Sequence, residues 1–382
     1  MGSRVTIATP EDFLLVRDAC SYGYFLLAPN EWDPIDRTLS RPLRLPEGRA
    51  RARIGQPEGR AGSGLVVELD RRIGRRERGE LARQVSRMLR LDESAAEIAA
   101  FHDVDERWRA TGRGRLFRSP TLFEDVVKTV TSCNVAWPST IRMNARLCEV
   151  LDAAFPSAAQ LARRRATTLR ARCGVGYRDA RLVELAKLFA SGAVDEGRLE
   201  DPGASDEEAF ETLTALPGIG PYAAGNIMQL LGRYGRLAID TETERHAREE
   251  LGFREEGAAL RAKVERRYER FGPHRFRSYW FEVWSAYERR RGPAWTWTPR
   301  GTGSGFTATA AGGRAAPEWS CVDDDAGSNG CPDGRGRGAL GRGGRGAAVP
   351  NGRLGRRVLP RDRTGNDRGG GDARERPAGG PS

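Results

Sequence analysis

Leu216-Pro217-Gly218-Ile219-Gly220-Pro221 constrains this chain more than any other stretch. Two prolines and two glycines so close together stop a helix or a strand from running through. Just before it, Ser205-Asp206-Glu207-Glu208 has the form of a capping box, opening a helix that ends at Leu216-Pro217. Just after it, Ala224, Ile227, Met228 and Leu231 lie at i, i+3, i+4 and i+7, one apolar face of a second helix that Pro221 starts. The string is therefore a tight turn between two antiparallel helices. Backbone N–H groups and the positive end of the second helix meet there, which is an arrangement that holds a phosphate. Asp240 stands 20 residues past Gly220, behind a short apolar run and ahead of a further helical pattern.

The helical spacing recurs at Phe123, Val126, Val127 and Val130, and again at Leu182, Leu185, Ala186 and Phe189. Amphipathic helices of this kind imply a bundle and not a parallel sheet. Residues 258–271 and 276–290 read as two more helices. Residues 1–75 differ: Val5-Thr6-Ile7, Tyr22-Gly23-Tyr24-Phe25-Leu26-Leu27 and Leu65-Val66-Val67-Glu68-Leu69 are short strand-like runs between Pro-, Gly- and Arg-rich clusters. The expected fold is mostly α with a small β part, an α+β chain. An antiparallel β-rich domain over 1–75 precedes an all-α core over 76–300. Tyr24 and Trp32 are read as core aromatics of the sheet, with a substrate-facing role as the alternative.

From 301 to 382 periodic apolar patterning ends, and Gly fills 22 positions and Arg 13. Such a segment buries too little apolar area to offset the entropy of ordering, so a disordered tail is expected. It either adds non-specific affinity for nucleic acid or has no specific function, including the case of a stretch outside the native reading frame.

The net charge is +11, and only Lys128, Lys187 and Lys263 among the 63 basic residues are lysine. Arginine forks suit phosphate, although a GC-rich genome gives the same bias. The six cysteines show no paired short spacing, so neither a zinc site nor a disulfide framework is expected. No run reads as a signal peptide or approaches membrane length. A soluble cytoplasmic, nucleoid-associated protein without membrane partners is the expectation.

The hairpin string, with Tyr222 and Ala223 and then Asp240-Thr241 and Arg245, resembles the helix-hairpin-helix DNA glycosylase superfamily. Arg118-Ser119-Pro120, Thr131-Ser132-Cys133-Asn134, Arg142-Met143 and Arg146-Leu147 are similar to the first core helices of its alkylpurine and 8-oxoguanine branch. Cys173-Gly174-Val175-Gly176-Tyr177-Arg178 resembles that branch's Gly-Tyr-Arg turn; lacking a preceding strand and a third glycine, it is not a nucleotide-binding loop. The resemblance covers about residues 100–290.

The resemblance implies that Asp240 is the catalytic carboxylate, stabilising positive charge on the deoxyribose and orienting or deprotonating water. The reading that competes with this is an ordinary helix cap. A position at a helix N-terminus is expected to favour its ionised form. In the strand-cutting members a lysine stands two residues after the hairpin's last glycine; here it is Tyr222, and a phenol cannot form an imine. A monofunctional glycosylase that leaves an abasic site follows. Tyr222, Asn226 and Tyr177 are the implied base-pocket residues, with Tyr222 stacking on the extruded base. Gly218, Ile219, Gly220, Asn134, Arg178 and Arg245 are the implied DNA contacts. Asn134 would enter the gap left by the flipped nucleotide, with Cys133 or Trp137 wedging the stack. No closely spaced cysteines follow Asp240, so no iron–sulfur cluster, and no cofactor, is expected. A monovalent cation at the backbone carbonyls of Leu216 and Ile219 is implied by the resemblance alone. The partner is double-stranded DNA with a damaged base, bound by a monomer. An alkylated purine such as 3-methyladenine is the first substrate, with 8-oxoguanine second. The competing class is a non-catalytic DNA-binding or damage-recognition protein that keeps the hairpin.

Overall fold

Arg49, Arg51 and Arg53 alternate with Ala50, Ala52 and Ile54, and this period of two buries one face of a strand while the arginines stay exposed. The strand, β4 (Gly48–Gly55), pairs antiparallel with β3 (Thr38–Leu45) across a tight hairpin, setting Leu39 opposite Ile54 and Leu43 opposite Ala50. With β1 (Arg4–Ile7), β2 (Glu31–Asp33) and β5 (Leu65–Leu69) it forms a five-stranded antiparallel sheet in the order β1-β5-β4-β3-β2. The computed structural model describes residues 2–151 and 154–302. The tail expected from 301 onward lies, after Thr302, outside the described residues.

The run Tyr22–Leu27 is not the strand its apolar character suggests. It turns through a short 3-10 segment, Gly23–Leu26, with Tyr22, Tyr24 and Phe25 all buried. A strand that presents one face to a sheet has no use for apolar residues on both, and the two carbonyls just before the run are claimed from outside. The indole N–H of Trp280 donates to Ser21 O at 2.8 Å and that of Trp284 to Cys20 O at 3.1 Å. Tyr24 is core, its hydroxyl 2.8 Å from Thr129 Oγ1, and Trp32 donates to Trp295 O at 2.7 Å.

The longer helices are α1 (Arg75–Leu89), α2 (Ala95–Val104), α3 (Leu122–Ser132), α4 (Trp137–Leu151), α5 (Asp179–Ser191), α6 (Asp206–Thr214), α7 (Pro221–Leu231), α8 (Thr241–Glu249), α9 (Gly257–Glu269) and α10 (Arg275–Arg291). The apolar positions read from the sequence on α3, α5 and α7 are buried. Ser205 caps α6, accepting from Glu208 N at 3.1 Å, and α6 ends at Thr214, two residues short of the expected stop.

Two hydrophobic cores result. The sheet does not close one alone: Leu39, Ile54 and Val67 pack with Val85 and Met88 of α1 and with Phe281 and Trp284 of α10. The second core is contiguous in sequence, running from Leu122 to Leu231 through α3, α4, α5, α6 and α7. A buried ionic cluster ties them together. Arg41 of β3 donates two hydrogen bonds, at 2.8 and 3.2 Å, to the Glu124 carboxylate of α3, which also accepts from Lys128 Nζ at 2.7 Å. Burial alone would raise the Glu124 carboxyl, but the Arg41 and Lys128 charges bring it down to about 2.

Candidate active site

Where the two cores meet, α7 and α8 bring together the residues that the sequence singled out. The hairpin between α6 and α7 is built as its glycines suggest. Gly218 adopts φ 73°, the left-handed region, and a Cβ there would come 2.7 Å from Arg181 Cδ. Ile219 N donates to Leu216 O at 3.1 Å and closes the turn, while Gly220 caps α7 and Pro221 fills its first position. The N–H groups of the first turn of α7 have no partner within the helix and face outward from its positive end. At the far end of α7, Arg90 Nη2 donates to the carbonyls of Gln229 and Leu230 at 2.6 and 2.8 Å, and Arg118 Nη1 to Leu230 O at 3.0 Å. Guanidinium groups at the negative end fix the helix without touching its positive end.

Asp240 is the N-cap of α8 and is half-buried. Its Oδ1 accepts from Thr243 N at 2.9 Å and from Thr243 Oγ1 at 3.1 Å; its Oδ2 accepts from the Tyr222 hydroxyl at 2.8 Å. Thr243 Oγ1 is itself 2.7 Å from the Tyr279 hydroxyl of α10. The ionised form is less favoured than in a free aspartate, contrary to what the helix terminus alone suggests. Burial pushes the Asp240 carboxyl above its ordinary value, outweighing the bonds from Thr243 and Tyr222, and the Glu242 charge adds to the rise. Burial and the Asp240 charge push the Tyr222 phenol well up, so it remains a protonated donor.

Asn226, one turn along α7, donates from Nδ2 to Tyr222 O at 3.1 Å. Its Oδ1 lies 3.4 Å from the Tyr22 hydroxyl. Sequence reasoning missed Tyr22 and Trp280. Tyr22 brings the 3-10 segment into the site, and the Trp280 ring of α10 sits 4.8 Å from it. Trp137 closes the same side, since a Cβ at Gly23 would lie 3.0 Å from its indole. The available signal was Tyr22-Gly23-Tyr24 itself: a glycine between aromatics in an otherwise apolar run marks a close approach.

The other expected contacts divide. Asn134 is exposed at φ 53° in the turn between α3 and α4. Tyr177 is 51% exposed, whereas Arg178, expected on the DNA face, is 4% exposed. The Arg178 guanidinium caps the end of α3, donating to Val130 O at 3.1 Å and to Cys133 O. Of this Tyr-Arg pair it is the arginine that is buried, because carbonyls at a helix end without an intrahelical partner need a donor. Arg245 is bound to Glu242 and Glu249 at 2.9 and 2.7 Å and faces its own helix, α8, instead of presenting a free charge. Leu216 O, one oxygen implied for a monovalent cation, accepts the Ile219 N–H, which leaves it one lone pair for an ion. Among the described residues no cluster of His, Cys, Asp or Glu could hold a metal ion, and no helix is long and apolar enough to cross a membrane.

No family model and no curated protein matches the chain. Solved structures do. MBOgg1 in complex with a low-affinity DNA ligand is 15% identical, with a TM-score of 0.57 over 76% of this chain and 98% of that one. The 3-methyladenine DNA-glycosylase from Archaeoglobus fulgidus is 20% identical, with a TM-score of 0.53 over 75% and 99%. The Clostridium acetobutylicum 8-oxoguanine glycosylase/lyase, in complex with double-stranded DNA containing cytosine opposite 8-oxoguanine, is 17% identical, with a TM-score of 0.55 over 76% and 98%. At these identities the likeness establishes architecture alone, and the fold is the one these DNA glycosylase structures share.

Proposed function

We propose that the chain is a monofunctional DNA glycosylase that flips a damaged base out of duplex DNA and hydrolyses its N-glycosidic bond. The observation that carries this reading is a half-buried Asp240 carboxylate that caps the helix after the hairpin and is bonded to Tyr222 of the hairpin's second helix. A bare DNA-binding hairpin has no need of such an acid. As the bond from C1′ to the base nitrogen breaks, positive charge grows on the sugar and the Asp240 anion stabilises it. Water then bonds to C1′ and gives its proton to Asp240, which passes it to solvent when a cationic alkylated base leaves as a neutral molecule, or to the base nitrogen when the base leaves as an anion. A carboxyl raised above its ordinary value is a better proton acceptor than a free aspartate.

Tyr222 supports the absence of strand cutting. Of the lysines, Lys128 is buried and bonded to Glu124, and Lys263 is paired with Glu255 at 2.6 Å. An alkylated purine is the favoured substrate: alkylation puts positive charge on the base, which suits the aromatic rings of Tyr22, Tyr222 and Trp280 and weakens the bond to be cut. 8-Oxoguanine is the second choice. The test is a panel of duplexes, each with one lesion. Wild type is expected to release the base and leave an abasic strand that breaks only on treatment with alkali. Borohydride should trap no covalent enzyme–DNA adduct, and a trapped adduct would overturn the monofunctional reading.

The hairpin has its own test. Gly218→Ala forces a Cβ into the left-handed region, at a cost of about 1–2 kcal/mol. Its affinity, followed by fluorescence anisotropy, should fall equally for every duplex sequence, since a phosphate anchor reads no bases. A loss confined to lesion-containing duplexes would assign Gly218 to the base pocket instead.

A further inference from the structure

We propose that Tyr222 is a positioning residue for Asp240: its hydroxyl, where a cation could have stood, holds Oδ2 in the site while Thr243 holds Oδ1 at the helix cap. The proposal rests on the reading of Asp240 as the reacting acid. It concerns a different property of Tyr222 from stacking on the extruded base.

The hydrogen-bond partners of this carboxylate are neutral, and the charge that bears on it most, Glu242, is negative. Tyr222 donates from α7 at 2.8 Å. Thr243 and the negative Glu242 belong to α8 itself, and Tyr279 of α10 reaches Asp240 through Thr243 Oγ1. The Tyr22 phenol, at the start of the 3-10 segment, feels the Asp240 charge, and the Cys133 thiol at the end of α3 bears on both Tyr22 and Tyr222. Among the described residues no Lys, Arg or His forms an ion pair with Asp240. Its charge in a half-buried place is therefore held by hydrogen-bond donors alone, and Tyr222 is the donor to the oxygen that the cap leaves over. A carboxylate fixed at both oxygens keeps one geometry toward C1′. The same phenol opposes the effect of burial, since a hydrogen bond to the charged form favours that form.

Tyr222→Phe separates the two roles, because it keeps the ring and removes the donor. The experiment is a carbon-13 carboxyl titration of the full-length protein, with the Asp240 resonance assigned by its disappearance in Asp240→Asn. In Tyr222→Phe the Asp240 midpoint should move to higher pH by about 1. The acid limb of single-turnover excision should move with it. As a second measurement, 3-fluorotyrosine placed at 222 alone donates more strongly and should move the midpoint down. Equal midpoints in all three proteins would overturn the proposal and leave Tyr222 as a stacking ring. The titration uses no DNA, so a chain that excises no lesion removes the functional reading while this result still decides the role of the phenol.

Discussion

Asp240→Asn is expected to lower the single-turnover excision rate by about 10²- to 10³-fold, the range for losing one well-placed electrostatic partner of a transition state. Binding to undamaged duplex should be unchanged, since the hairpin is untouched. Stability should stay level or rise. Asparagine caps a helix as well as aspartate does and can still accept from Thr243 N. The Asp240 carboxyl is raised in the folded state, so this group stabilises the fold at low pH, and that contribution is lost as pH rises through the folded value. At neutral pH the charge is a burden on the fold, and asparagine removes it. A thermal melt beside the lesion assay checks both halves. Unchanged excision would show Asp240 to be a cap and nothing more; a collapsed melting temperature would show that the fold depends on the carboxylate. The activity of wild type should fall on the acid side, at a pH above that of an ordinary aspartate, because the protonated acid can neither stabilise the sugar nor accept from water.

Glu124→Ala should produce the largest loss of stability, about 3–5 kcal/mol, because it strands Arg41 and Lys128 as buried unpaired charges. Urea unfolding at neutral pH measures it. The wild-type cluster also has a pH signature. Glu124 is lowered from an ordinary 4.5 to about 2, so its stabilisation is complete above 4.5 and is lost as pH falls toward 2. The variant should show a flatter fall over that window, and an identical fall in both proteins would remove Glu124 from the account. Replacing Glu124, Arg41 and Lys128 together with apolar residues should recover much of the loss, which separates the cost of stranding charges from the worth of the cluster.

The helices were legible because one face of each is buried, and burial on one face leaves a period that a sequence displays: Phe123, Val126, Val127 and Val130 are an example. The hairpin was legible because Gly218 needs a positive φ and Pro221 a helix start, both local demands. Tyr22–Leu27 was not, because a segment buried all round has no period to read, and the carbonyls just ahead of it are held by indoles that come from α10, more than 250 positions away. Arg178 was misplaced for the same reason. Nothing near it in sequence says that the open end of α3 lies beside it and takes its guanidinium. The bond from Tyr222 to Asp240 joins positions 18 apart, and only the return of the chain between α7 and α8 brings them together.

The unequal layout of the two cores sets an order of assembly during synthesis. Residues 122–231 supply one core from a single continuous stretch, so it can consolidate as soon as that stretch has left the ribosome. The other core holds its sheet residues open until α10 and Trp297 arrive, the better part of the chain later. Asp240 and Trp280 belong to that late arrival, so the nascent chain gains its glycine hairpin before it gains the acid and the full set of rings beside it.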